Sequence, residues 1–218
     1  MIYAIVFDFD GVLADSEPLH LRAYQEVVEG MGSALPREEY YARYLGYDDV
    51  GVFRTLSDDR GWGLTDTRIS ELIAEKTRAL AEIVAETDVL YPGAAECLAR
   101  LACIWPLGIA SGALKHEIKT ILERRSLVGY FRFIVAAGDT PASKPSPDPY
   151  ALASRLHGAH PAACVAIEDS RWGIESAKAA GLWCIGITHT YPVQELIRAD
   201  TIVSSLDELT PELIRSLR

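Results

Sequence analysis

Residues Ile2 to Phe7, IYAIVF, form a nearly continuous apolar run of strand-forming residues. A strand with one wet face alternates apolar and polar residues, whereas an unbroken run fits a strand covered on both faces, the condition of a parallel sheet. The signature recurs at Leu107 to Ala110, Phe133 to Ala136, Cys164 to Ile167, Trp183 to Ile187 and Thr201 to Val203. Helical periodicity fills the gaps at Lys115 to Arg124, Pro147 to Leu156 and Arg171 to Ala180. Strands alternating with helices predict an α/β fold with a doubly wound, mostly parallel sheet.

One region breaks the alternation. From about Asp15 to Asp88 there is helical periodicity and no convincing strand. Ile69, Leu72, Ile73, Lys76, Leu80, Ile83 and Val84 fall three and four apart behind a Thr65–Asp66 start signal, which predicts a long amphipathic helix. Leu19, Ala23 and Val27 mark a second helix closing near Gly30, and Tyr40, Tyr41, Tyr44 and Leu45 a third closing at Gly46. The chain therefore reads as a core of residues 1–14 and 89–218 with an α-helical insert, 15–88, re-entering at the Pro92–Gly93 turn. An insert leaving after the first strand belongs at the C-terminal strand edge, where open α/β sheets bind ligands.

Bulk properties narrow the partners. A formal net charge of −10 over 218 residues disfavours nucleic-acid backbones and anionic membranes, so an anionic substrate needs a local cation or a metal. No apolar run approaches the roughly 20 residues of a membrane span. The chain enters IYAIVF with no basic leader, and the expected location is cytoplasmic. Cys97, Cys103, Cys164 and Cys184 show no C-x-x-C pair and lie in apolar surroundings, which predicts small buried hydrophobes.

Four features at strand ends carry chemistry. Asp8-Phe9-Asp10-Gly11 ends the first strand; residues two apart start on one face, and Gly11 permits a turn that a Cβ would hinder. Two carboxylates so close imply a bound cation or a raised pKa, although a solvated acidic turn has the same spelling. Glu168-Asp169 ends a later strand just before a helix, where hard oxygen ligands suit magnesium and where simple capping is the plainer role. Ser111-Gly112 offers a hydroxyl and free backbone N–H groups for phosphate oxygens, or an ordinary cap. Lys144, in SKPSPDPY, is a lone cation in a loop stiffened by three prolines. Their joint placement at one sheet edge favours a site over four coincidences.

In these motifs the chain resembles the haloacid dehalogenase-like (HAD) hydrolases, in the branch with a helical cap after the first strand, close to β-phosphoglucomutase and phosphoglycolate phosphatase. DFDGVLADSEPLH is similar to that branch's first motif, ASG to the second, SKPSPDPY to the third and IEDSRWGIESAKAAG to the fourth. The resemblance implies a Rossmann-like HAD core and a magnesium-dependent phosphatase acting on a small phosphorylated metabolite of sugar-phosphate or phosphoglycolate type. It implies Asp8 as the nucleophile that forms an aspartyl-phosphate and Asp10 as the acid–base partner. Mg2+ would be bound by Asp8, the Asp10 carbonyl, Asp169 and Glu168, with Ser111, Gly112 and Lys144 on the phosphate.

Two other readings stay open. His20 matches a β-phosphoglucomutase position that couples cap closure to acid–base action, which favours a phosphosugar mutase. The loop Leu45-Gly46-Tyr47-Asp48-Asp49 lacks the cations that grip a second phosphate there, and its two acids are expected to repel one. Gly46 and His20 are taken as substrate-side residues, and Arg22, Arg43, Tyr44, Tyr47 and Arg54 as specificity candidates. The remaining alternative is a phosphate-binding regulatory module without turnover.

Overall fold

The structure is a computed structural model and describes residues 1–45 and 47–217. It divides into two units, Met1–Asp15 with Asp88–Arg218, and Ser16–Thr87. In the first unit the apolar runs become β1 (Ala4–Phe7), β2 (Leu107–Ala110), β3 (Phe131–Val135), β4 (Cys164–Glu168), β5 (Trp183–Ile187) and β6 (Thr201–Val203). All pair in parallel, in the order β3-β2-β1-β4-β5-β6. The four residues of β1 are wholly buried, as its unbroken apolar run requires of a central strand. β3 begins at Phe131, earlier than its apolar run, because it is an edge strand whose exposed Arg132 interrupts that run.

Chain order fixes where a ligand fits. From β1 the chain winds outward through β2 and β3, then returns to β4 on the other side of β1. The winding reverses between β1 and β4, and doubly wound sheets bind ligands in the crevice at that reversal, at the C-terminal strand ends. Phe7 lies opposite Ile167 in β4 and Ile109 in β2, so Asp8, Glu168 and the Ser111 turn follow from neighbouring strand ends.

The helices of this unit are α5 (Ala94–Ala102), α6 (Lys115–Arg124), α7 (Asp148–His157), α8 (Arg171–Ala179) and α9 (Pro211–Ser216), numbered after four in the other unit. Tyr150 of α7 and Ile174 of α8 pack with Val6, Ala166 and Cys184 in one buried cluster. Cys97, Cys164 and Cys184 are buried, but Cys103 is exposed, against expectation. It sits just past the end of α5, where the Sγ–H donates to the Ala99 carbonyl at 3.2 Å and the side chain leaves the packed face.

In the second unit, α1 (Glu17–Gly30), α2 (Arg37–Arg43), α3 (Asp49–Arg60) and α4 (Asp66–Glu86) surround a core of Tyr24, Val28, Tyr44, Phe53, Leu56 and Leu72. Thr65 caps α4, accepting from the Arg68 N–H. α3 was not expected from periodicity: five charged residues and Gly51 dilute its pattern. Its end signals are nonetheless present. The Asp48 carboxylate accepts from the Gly51 N–H at 2.7 Å, and Gly61 closes the helix at φ +65°. Arg60 then forks onto Glu39 at 2.9 and 3.0 Å and donates to the Ala34 carbonyl at 2.9 Å, tying α3 to α2.

Where the chain leaves and re-enters the first unit, two segments pair briefly. The Asp15 N–H donates to the Val89 carbonyl at 2.7 Å and the Tyr91 N–H to the Leu13 carbonyl at 2.9 Å.

Candidate active site

At the end of β1 the backbone turns sharply. The Asp8 N–H continues the ladder to the Ile167 carbonyl at 2.9 Å, and the Phe9 carbonyl then accepts from the N–H groups of Val12, Leu13 and Ala14. Gly11 sits at φ +75°, and a Cβ there would overlap the Asp169 carboxylate and the Thr190 hydroxyl. Glycine is therefore required twice, by backbone and by space. His189 Nδ1 lies 3.1 Å from the Gly11 carbonyl oxygen. Asp10 stands half-buried in this turn, its backbone bridged to Ala14.

Asp8, Glu168 and Asp169 are all buried, and one oxygen from each lies within 4.8 Å of the others. Lys144 faces them. Its Nζ donates to Asp8 Oδ1 at 2.9 Å and to Glu168 Oε1 at 2.6 Å, and the Lys144–Pro145 peptide is cis. Burial works against the ammonium, but Asp8 and Glu168 outweigh it and hold the Lys144 pKa above its usual range. Burial, then the charges of Asp8 and Glu168, push Asp169 well above the ordinary carboxyl value. Burial also raises Glu168, opposed by Lys144. Three carboxylates against one ammonium leave a local excess of negative charge in a buried place, and an all-oxygen donor set fits a hard divalent cation.

On the neighbouring strand end, Ser111 is buried; its N–H donates to the Val135 carbonyl at 3.0 Å and its Oγ accepts from the Ala113 N–H at 3.1 Å. The hydroxyl proton is thereby left to donate elsewhere. A Cβ on Gly112 would meet no protein atom within 4 Å. Ser170 caps α8, accepting from the Gly173 N–H at 3.1 Å.

In the helical unit, Lys76 is buried in α4. Its Nζ donates to His20 Nδ1 at 2.9 Å and to Asp49 Oδ1 at 2.8 Å, and Asp49 also accepts from the Tyr24 hydroxyl at 2.5 Å. An ammonium has only donors, so Nδ1 of His20 is an acceptor and Nε2 carries the ring proton. Burial, reinforced by Lys76 and opposed by Asp49, lowers the His20 pKa to about 3 and keeps the ring neutral. The acids of the 45–49 loop have internal partners: Asp48 caps α3 and Asp49 is paired with Lys76. The charge of Asp49 is therefore balanced within the unit by Lys76, whereas Asp48 caps α3 from an exposed position and keeps its charge.

The expected specificity residues are mostly occupied as well. Arg22 pairs with Glu26, Arg43 with Asp59 and Arg54 with Asp66, while the wholly buried Tyr44 donates toward Glu39 and Asp59. Tyr47 is exposed. Gly46 lies outside the described residues.

Sequence reasoning missed Tyr150, whose hydroxyl donates to Glu168 Oε1 at 2.6 Å from a fully buried position. Within the SKPSPDPY motif it read as one more apolar position of a helix. The signal available was a polar tip on a face that the helix must bury.

A doubly wound sheet interrupted after its first strand by a helical unit, with buried carboxylates and a half-buried lysine at the winding reversal, defines a class of α/β enzymes with a helical insert. Within that class the chain belongs to the haloacid dehalogenase-like hydrolases, whose family pattern matches residues 2–181, and it is an enzyme acting on phosphate esters. It is 36% identical over 188 residues to protein CbbY of Rhodobacter capsulatus, covering 82% of each chain. It is 32% identical over 213 residues to hexitol phosphatase B of Escherichia coli, covering 96% of this chain and 95% of the other. The crystal structure of CbbY from Rhodobacter sphaeroides in complex with xylulose-(1,5)bisphosphate superposes with a TM-score of 0.82 at 30% identity, over 96% of both chains. No described helix is long and apolar enough to cross a membrane.

Proposed function

We propose that the protein is a magnesium-dependent phosphatase that hydrolyses a small phosphorylated metabolite through an aspartyl-phosphate on Asp8. The observation that carries this is the convergence of Asp8 with Glu168, Asp169 and Lys144 at the winding reversal. Asp8, the Asp10 carbonyl and Asp169 would hold Mg2+, which when bound neutralises carboxylate charge and stabilises charge developing on the phosphoryl oxygens, while Glu168 in the same acidic group holds Lys144.

Asp8 attacks phosphorus, forming an O–P bond as the ester O–P bond breaks. Asp10 donates a proton to the leaving oxygen. Asp10 then takes a proton from the attacking water, phosphate leaves, and the Asp8 carboxylate is regenerated. Ser111, the Gly112 N–H and Lys144 hold the other oxygens, and Lys144 offsets repulsion between Asp8 and an incoming anion. The phosphatase names of relatives support hydrolysis of sugar-type phosphates, and xylulose bisphosphate in a similar protein supports adding bisphosphates to the candidates.

Phosphate release from sugar phosphates, sugar bisphosphates, phosphoglycolate and p-nitrophenyl phosphate tests the proposal. Release should require Mg2+ and fall at least ~10³-fold in Asp8→Asn. An inert panel with metal present overturns the proposal. Because Asp48 and Asp49 are internally paired, the mutase reading needs its own assay. With β-glucose 1-phosphate and a bisphosphate primer, glucose 6-phosphate appearing faster than free phosphate overturns hydrolysis.

A further inference from the structure

We propose that Tyr150 is a positioning residue for phosphate binding: its hydroxyl and ring together fix Glu168 as the anchor of Lys144, so that the lysine rather than the metal depends on Glu168. The inference rests on the phosphatase reading for its meaning, but its geometry is independent of any substrate.

Glu168 has no exposed surface. Its Oε1 accepts from both Lys144 Nζ and the Tyr150 hydroxyl at 2.6 Å each, and its Oε2 accepts from the Ser170 hydroxyl at 3.4 Å. On the remaining side the carboxylate lies against Gly173 of α8, where any Cβ would overlap it. A carboxylate clamped from three side chains and a helix backbone cannot swing to suit another ligand. Asp169, beside it, takes none of these three donors, although it shares with Asp8 and Glu168 the acidic group that could hold a metal ion.

Tyr150 touches both members of the ion pair. Beyond the bond to Glu168, its ring lies 5.1 Å from Lys144 Nζ, within cation–π range. α7 carries Tyr150 six residues after Lys144, past the proline-rich turn, so one rigid segment places both lysine and clamp. A hydroxyl bonded to a buried carboxylate is among the stronger neutral-to-charged hydrogen bonds, and its loss frees Oε1 to rotate and Lys144 to follow. Lys144 then meets Asp8 and the phosphate in a less defined position.

The test reads binding without turnover. Tyr150→Phe keeps the ring and deletes the hydroxyl. Isothermal titration of Mg2+ alone should give an affinity within about twofold of wild type, whereas inorganic phosphate titrated in saturating Mg2+ should bind roughly tenfold more weakly. Unchanged phosphate affinity reduces Tyr150 to packing and overturns the proposal. An equal fall in Mg2+ affinity also overturns it, because Glu168 would then serve the metal first.

Glu168→Gln gives the second arm and covers a Phe variant that fails to fold. It should weaken phosphate and spare Mg2+; loss of Mg2+ affinity sinks the proposal. In the double variant the two losses should not add, since both act through Lys144. A wild type that releases no phosphate from any ester sinks the phosphatase reading but leaves these two titrations intact, so the two failures are distinguishable.

Discussion

In each unit a lysine lies beside a carboxylate and a tyrosine hydroxyl, buried in the case of Lys76 and half-buried in the case of Lys144, yet the two clusters differ in charge. Around Lys76 stand Asp49, a neutral His20 and Tyr24, so one ammonium meets one carboxylate and the account closes. Around Lys144 stand Asp8, Glu168 and Tyr150, with Asp169 against them, and one ammonium faces three carboxylates. A closed cluster is a fastening. An open one retains electrostatic demand that folding has not satisfied, and a cation and a phosphoryl group with its own counter-ion can satisfy it. The contrast separates structural from reactive polarity by charge balance rather than by burial, since Lys76 is buried and Lys144, with 13% of its side chain exposed, is nearly so.

The sharpest way to break this comparison is to remove each lysine in turn. Lys144→Met should lower kcat/KM about 10²- to 10³-fold, the scale of losing a donor aimed at transition-state charge. Lys76→Met strands Asp49 and should cost ~2–4 kcal/mol of stability, while activity well below its melting transition stays within about tenfold. Urea melts and steady-state kinetics on both variants decide it. A Lys76→Met variant that loses activity as steeply as Lys144→Met, with its midpoint kept, would make Lys76 a second reactive group.

Acid comes next in size. His157 of α7 is buried with its ring 4.5 Å from that of Phe133, and burial, aided by Arg132, lowers its pKa to about 4. A histidine whose folded pKa is depressed favours the native state above its unfolded value of about 6.5, and that contribution is lost as pH falls toward 4. The shift corresponds to ~3 kcal/mol at most. His20 acts in the same direction in the other unit, so neither is protected by acid. Melting midpoints from pH 7 to pH 4 should fall, and His157→Gln should flatten the slope. In kinetics, no inflection near pH 6.5 should belong to His20; one that vanishes in His20→Gln would show the ring titrating and contradict the fixed tautomer.

Metal should act on the open cluster alone. At a hundred times its Kd, Mg2+ should stabilise the first unit by about 2.7 kcal/mol, reversed by EDTA and absent in Asp169→Asn. Melting that ignores Mg2+ would leave the charge excess without its expected partner.

How far this contrast was legible in the sequence varies by cluster. β1, β2 and β4 announce themselves because burial on both faces leaves no room for polar residues, and Asp8, Ser111, Glu168 and Asp169 stand at the ends of those strands. β3 blurs because an edge strand tolerates Arg132. α3 hides because its charges serve its surroundings: Asp49 goes to Lys76, Asp59 to Arg43 and Arg60 to Glu39. Those pairings span up to 27 residues, and no local pattern encodes them. Tyr150 hides for the opposite reason, since a buried aromatic on a helix face is what packing alone demands.

The smallest effect bears on that hidden pairing. Asp48 and Asp49 read in sequence as a negative loop opposed to a second phosphate, but Asp48 accepts from the Gly51 N–H as the cap of α3. Asn caps a helix as well as Asp, so Asp48→Asn removes one charge and keeps the bond; stability should change by less than ~0.5 kcal/mol. If the carboxylate is occupied in capping, KM for a sugar monophosphate and for a sugar bisphosphate should each move less than about twofold at low salt, where an exposed charge would be felt most. A selective fall in KM for the bisphosphate would mean that the charge still repels despite its cap, and would restore the loop as a determinant against doubly phosphorylated substrates.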